Sequence, residues 1–148
     1  MAEKKCGLKM HKNILVAYDG SKCGKKALDQ AIEMAGACGS TLHLVHVVAV
    51  NDEYMAMGVG LEEKLSKEAV ALVDQAMKKV KKSGVKSESI IVHEEQPFRA
   101  IIAEAAKRKA DLIVLGTHGR TGLSKILLGS VAQRVIGHAS CPVLVVPG

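Results

Sequence analysis

The segment Gly116-Thr117-His118-Gly119-Arg120-Thr121-Gly122, with Leu128-Gly129-Ser130 shortly after it, has the residue types of an anion-binding loop. The apolar run Leu112-Ile113-Val114-Leu115 leads into it, and the amphipathic Val131-Ala132-Gln133-Arg134-Val135-Ile136 leads out. That order reads as strand, glycine-rich loop and helix N-terminus. A helix start presents unpaired backbone N–H groups and the positive end of a dipole, and phosphate suits both. Gly116 and Gly119 permit tight turns and close approach of backbone to an anion. Gly129 and Ser130 add N–H groups and a hydroxyl at the next helix start. Glycines after strands also serve as plain turns, so spacing alone leaves both readings open.

The neighbouring polar residues carry two readings each. Asp19 either contacts a ribose or orients a metal-bound water, or it simply starts the turn before Ser21. Arg120 and Lys125 either neutralise phosphate charge or are solvated loop charges. His118 has no base–nucleophile partner within the motif and reads as a solvent-exposed loop residue. Met55 and Met57 either cover a ligand or pack loosely in a long loop.

Elements that position these residues can be read from apolar patterning. Asn13–Tyr18 is a first strand whose lack of alternation suits burial on both faces. Ser21 is placed to cap a helix running to about Cys38, with Leu28, Ile32 and Ala35 inward and Gly39 closing it. Thr41–Val48 is the second strand, and Asn51–Gly60 reads as a loop. A helix over about Leu61–Ser83 carries Leu65, Ala69, Leu72, Ala76 and Val80 at helical spacing, and Gly84 ends it. Ser89–Val92 is a short third strand. Pro97 opens a helix with Ile101, Ile102 and Ala105 inward. Leu112–Leu115 and Pro142–Val146 are the fourth and fifth strands. Strict β-α alternation implies an open parallel sheet with helices on both faces. Ligands in such sheets sit beyond the carboxyl ends of strands where the strand order reverses. If strands one and four are neighbours, Asp19 and Gly116 face each other across one crevice.

Composition narrows the class. The 148 residues are 48% apolar and 24% charged, consistent with one globular domain over residues 1–148 and a flexible tail over residues 1–10. Aromatics are only Phe98, Tyr18 and Tyr54, so the core is aliphatic and base stacking on single strands has no platform. The net charge of +6 concentrates in Lys22-Lys25-Lys26 and Lys78-Lys79-Lys81-Lys82, read as solvated helix faces and not as a nucleic-acid surface. The four cysteines, Cys6, Cys23, Cys38 and Cys141, form no C-x-x-C pair and read as reduced cytoplasmic thiols, with Cys38 and Cys141 in the core. His43 and His46 lie three apart on a strand and face opposite sides, so they make no metal pair. No signal peptide or membrane-length apolar run is expected. Neither G-x-G-x-x-G after the first strand nor G-x-x-x-x-G-K-[ST] is present, which argues against a dinucleotide fingerprint and a P-loop. Asp19 has no acidic neighbour, unlike the pocket of a phospho-receiver domain.

Gly116-x2-Gly119-x9-Gly129-Ser130 matches in full the motif G-x2-G-x9-G-[ST] of the ATP-binding subset of the universal stress protein family. Val16-Ala17-Tyr18-Asp19-Gly20-Ser21 resembles that family's opening strand and loop, Leu42–Val47 its second strand, and Cys141–Val146 its closing strand. The resemblance runs from Asn13 to Pro147. It implies a Rossmann-like five-stranded parallel sheet in order 3-2-1-4-5 and a bound ATP with a divalent cation, Mg or Mn, on its phosphates. By motif position, Ala17, Tyr18 and Asp19 would line the adenosine side, Val47 would pack on adenine, and Leu115 and Gly116 would flank base and ribose. Gly119, Gly129, Ser130 and Val131 would hold phosphates. Glu95 stands where the family often has Gly, Ala132 where some relatives have Thr, and Tyr18 replaces a smaller residue and would narrow the base pocket.

Three functions follow from this reading. The first is a cytoplasmic, nucleotide-dependent stress-response module that signals to an unidentified protein partner. The second is a slow ATP hydrolase or phosphotransferase, although no general base or P-loop lysine is evident and no residue is given a catalytic role. The third is a nucleotide-independent interaction protein. The first is preferred, as a homodimer through the edge strand Pro142–Val146, which prolines bracket.

Overall fold

The computed structural model describes residues 11–119 and 127–148. The elements are β1 (Asn13–Ala17), α1 (Lys22–Cys38), β2 (Thr41–Ala49), α2 (Asp52–Ala56), α3 (Val59–Lys82), β3 (Ser87–Glu94), α4 (Pro97–Lys107), β4 (Leu112–Gly116), α5 (Ser130–His138) and β5 (Val143–Val146). The five strands form one sheet in the order β3-β2-β1-β4-β5, and every neighbouring pair is parallel. The strand order reverses between β1 and β4, so the chain segments leaving these two strands flank one crevice.

Alternate residues of the central strands feed two aliphatic cores. Ile14, Val16, Leu42, Leu44, Leu112 and Val114 pack with Ala27, Leu28 and Ala31 of α1 and with Val73, Met77 and Val80 of α3. Leu15, Val45, Ile113 and Leu115 pack with Ile101 and Ala105 of α4 and with Ala132 and Val135 of α5. Burial on both faces explains why β1 and β4 read as unbroken apolar runs. Each fully buried side chain of this size contributes about 1.5–3 kcal/mol.

Local signals set the helix ends. Ser21 Oγ accepts from Gly24 N–H at 3.0 Å, and Gly39 closes α1 in the left-handed conformation, with φ 67°. Pro97 sits in the first turn of α4. Ile32 and Leu72 are half-buried against the α1/α3 core, and Leu65 is half-buried as well.

Several boundaries differ from the sequence expectation. Asn51–Gly60 is not a continuous loop: α2 occupies Asp52–Ala56 and α3 begins at Val59. β3 runs from Ser87 to Glu94, twice the expected length, because its whole span pairs with β2 from Leu42↔Ser87 to Ala49↔Glu94. Cys38 and Cys141 are half-buried; Cys141 packs against the α4/α5 core, whereas Cys38 is a member of neither core. The lysines of both clusters are exposed, and Lys79 pairs with Asp29, joining α3 to α1.

Candidate functional site

The crevice begins where β1 and β4 end. The register Val16↔Val114 brings Ala17 level with Leu115. Beyond Ala17, Asp19 makes the turn into α1: its Oδ1 accepts from Ser21 N–H at 2.9 Å. The other carboxylate oxygen faces the glycine loop, since a Cβ placed on Gly119 would lie 3.1 Å from Asp19 Oδ2. Asp19 therefore performs the turn function and also forms one wall of the crevice.

Space accounts for the glycines of the motif. None of Gly116, Gly119 and Gly129 has a positive φ; Gly129 has φ −60° and ψ 153°. A Cβ on Gly116 would stand 2.6 Å from Cys23 Cβ and 2.9 Å from the Cys23 carbonyl carbon, so glycine lets the end of β4 lie directly on the first turn of α1. A Cβ on Gly129 would stand 2.9 Å from Thr117 O. Gly24, which sequence reasoning passed over, is a fourth member: a Cβ there would fall 2.5 Å from Asp19 Oδ1.

Gly129 is the N-cap of α5, without a side-chain cap bond. Its N–H donates to Thr117 O at 2.7 Å, so that group is already committed. The N–H groups of Ser130, Val131 and Ala132 fall in the first turn, where an α-helix supplies no acceptor. Together with the helix dipole they make the cationic end of the crevice. Ser130 is exposed at this end.

Ala17, Val47 and Val131 are half-buried and Leu115 is buried, all against the α4/α5 core. They form one apolar wall. Tyr18 does not join it. Its side chain is 6% exposed and packs in the opposite core, under α1 and α3. Its N–H donates to Val45 O at 2.9 Å and its carbonyl accepts from His46 Nδ1 at 2.8 Å. The expectation that Tyr18 narrows a base pocket is thus corrected: alternation along the strand turns its ring to the other face of the sheet. Arg120 and Lys125 lie outside the described residues.

His118 also departs from expectation. It is half-buried, with Nδ1 3.0 Å from Thr117 Oγ1 and Nε2 hydrogen-bonded to Leu127 O. Thr117 Oγ1 lies 3.7 Å from Cys23 Sγ. Thr117 and Cys23 carried no spacing signal, because their partners come from distant parts of the chain. Met55 and Met57 are exposed, at 62% and 77%. Shallow hollows of about 320 and 410 Å3 line α3 between Gly60 and Asp74 and include no crevice residue. Among the described residues no three His, Cys, Asp or Glu side chains converge on a metal position.

At the far end of the sheet, Glu88 of β3 accepts from His43 Nδ1 at 2.6 Å and from Arg108. Burial pushes the Glu88 carboxyl up, but the hydrogen bonds from His43 and Arg108 and their charges outweigh it and hold the group below its ordinary value. This cluster fastens the edge strand and does not face the crevice loops.

Comparison with known proteins agrees with this architecture. The sequence matches the universal stress protein family over residues 10–147. A universal stress protein of Methanocaldococcus jannaschii is 41% identical over 144 residues, covering 95% of this chain and 84% of its own. The solved structure of protein MJ0577 of the same organism superposes with a TM-score of 0.86 at 32% identity, covering 94% of this chain and 97% of that one. A universal stress protein solved in complex with cAMP has a TM-score of 0.68 at 26% identity, with 92% and 96% covered. One from Archaeoglobus fulgidus in complex with dAMP has a TM-score of 0.63 at 25% identity, with 90% and 96% covered. Sequence match, strand order and superposition agree, and the chain belongs to the universal stress protein family.

Proposed function

We propose that this protein binds ATP in the crevice between the β1 and β4 loops and acts as a nucleotide-dependent regulatory module. One observation carries the reading: Gly116, Gly119, Gly129 and Ser130, at the motif's full spacing, meet the free first-turn N–H groups of α5 opposite Asp19. The complexes of relatives with cAMP and dAMP support an adenine nucleotide as the ligand class. In this reading Ala17, Val47 and Leu115 supply the apolar side for the base, and Asp19 and Gly116 flank the ribose. Gly119, Ser130 and Val131 hold phosphate oxygens, with Arg120 as a further cation. Tyr18 shapes the end of β1 from beneath. With no preformed three-ligand cluster among the described residues, Mg or Mn would be held chiefly by the phosphates and water, with Asp19 as the protein carboxylate within the crevice.

The reading includes a homodimer through β5, the outer strand beside β4, and a cytoplasmic setting. No disulfide joins Cys23, Cys38 and Cys141, and no helix among the described residues is long and apolar enough to cross a membrane. Denaturing the natively purified protein and identifying released small molecules by mass spectrometry tests the ligand. An adenine nucleotide in the extract, together with a thermal shift on adding Mg-ATP, is the expected result. No nucleotide and no shift would remove the proposal.

A further inference from the structure

Thr117 is bonded to three separate segments of the fold. Its N–H donates to Val146 O of β5 at 3.0 Å, and its carbonyl accepts from Gly129 N–H at 2.7 Å. Its hydroxyl lies 3.0 Å from His118 Nδ1 and 3.7 Å from Cys23 Sγ, in the first turn of α1. One residue is thus fixed to β5, to the cap of α5 and to α1.

His118 closes a second rung. Leu127 O can only accept, so His118 Nε2 carries the proton in that bond. In the neutral ring Nδ1 is then an acceptor, and the Thr117 hydroxyl donates to it. The hydroxyl oxygen is left to accept from Cys23 S–H. A single assignment satisfies the run from Cys23 through Thr117 and His118 to Leu127. The outer rung, Thr117 to Gly129, and the inner rung, His118 to Leu127, together bring the two ends of the glycine loop to one fixed separation.

We propose that His118 is a positioning residue, acting through Thr117 to hold the loop ends in the arrangement that receives phosphate. The proposal rests on the nucleotide-binding reading above. A loop whose ends are already fixed loses less conformational freedom when an anion binds, and the saving appears as affinity. His118 serves without contacting the ligand: its two ring nitrogens are both spent within the loop.

The test uses full-length protein and two readouts. In the nucleotide-free protein, amide hydrogen exchange at residues 128–130 is compared between wild type and His118→Ala. The clasp requires faster exchange at these positions in the variant, with exchange in α3 unchanged. Calorimetric titration with Mg-ATP then requires affinity to fall by about 5- to 150-fold in His118→Ala, the range for losing two hydrogen bonds. His118→Gln, whose amide can reach Leu127 O, restores part of the loss. Thr117→Val adds little to His118→Ala, because both break the same path. Unchanged exchange in His118→Ala overturns the proposal whatever ATP does, and so does an ATP affinity within twofold of wild type. If wild type binds no ATP but exchange quickens in the variant, the nucleotide reading fails, and with it the phosphate-receiving role of the clasp.

Discussion

Gly24 and Asp19 show how closely the crevice is fitted. Gly24 lies in the first turn of α1, and only its missing Cβ lets the Asp19 carboxylate rest 2.9 Å from Ser21 N–H while its second oxygen faces Gly119. Gly24→Ala therefore sets two effects against each other. Alanine favours the helix by up to about 1 kcal/mol. The added carbon, 2.5 Å from Asp19 Oδ1, displaces that side chain. We expect thermal unfolding to hold or rise slightly, while ATP affinity falls by about tenfold, the worth of one hydrogen bond to a charged group. Parallel melting and calorimetry of the variant check both halves. An unchanged affinity would show that Asp19 only makes the turn.

Among the elements, β3 is held by a polar fastening as well as by apolar packing of Ile90 and Ile91. Glu88 bonds to His43 of β2 and to Arg108 at the end of α4, and Arg108 Nε also meets Glu104 at 3.2 Å. Because the Glu88 carboxyl is held below its ordinary value near 4.5, its ionised form stabilises the fold above that pH. This contribution is lost as pH falls through the lowered folded-state value. Glu88→Gln is expected to weaken the protein at neutral pH and to flatten its loss of stability below about pH 4.5, measured by urea unfolding across the acid range. Equal acid slopes for variant and wild type would contradict the assignment. The same strand marks the limit of what the sequence made legible. Ser89–Val92 declared itself by its apolar run, whereas Ser87, Glu88, His93 and Glu94 have little strand character and are drawn in by pairing with β2. The start of α3 was hidden for a related reason: its cap is Gly58, with no side-chain cap bond, and Gly60 occupies the first turn. Ser21, Gly39 and Pro97 carry their boundary chemistry in their own side chains or φ preference, and those ends were readable. At the site, spacing located Gly116, Gly119 and Gly129. It could not reveal Gly24, Thr117 or His118, whose roles exist only when remote segments meet.

At the scale of the whole molecule, the crevice beyond β1 and β4 lies beside the outer strand of the sheet, β5. Ile113 N–H donates to Pro142 O and Thr117 N–H to Val146 O, so even-numbered residues of β5 bond to β4. Parallel ladder geometry then turns the main-chain groups of Val143 and Val145 outward. Val145→Pro removes an outward N–H and leaves the inner ladder intact, a placement edge strands tolerate. Sedimentation analysis is expected to find a dimer for wild type and a monomer for the variant; a monomeric wild type would end the dimer proposal. Nucleotide binding in the crevice is tested most directly by calorimetric titration of the protein with Mg-ATP, for wild type and Gly129→Val. Valine at this position would drive into Thr117 O and shift the start of α5, costing the phosphate its helix-end donors. If ATP binds in this crevice, wild type binds one ATP per chain saturably and the variant loses about a hundredfold or more in affinity. Absence of saturable binding by wild type, or equal affinity in Gly129→Val, would contradict it.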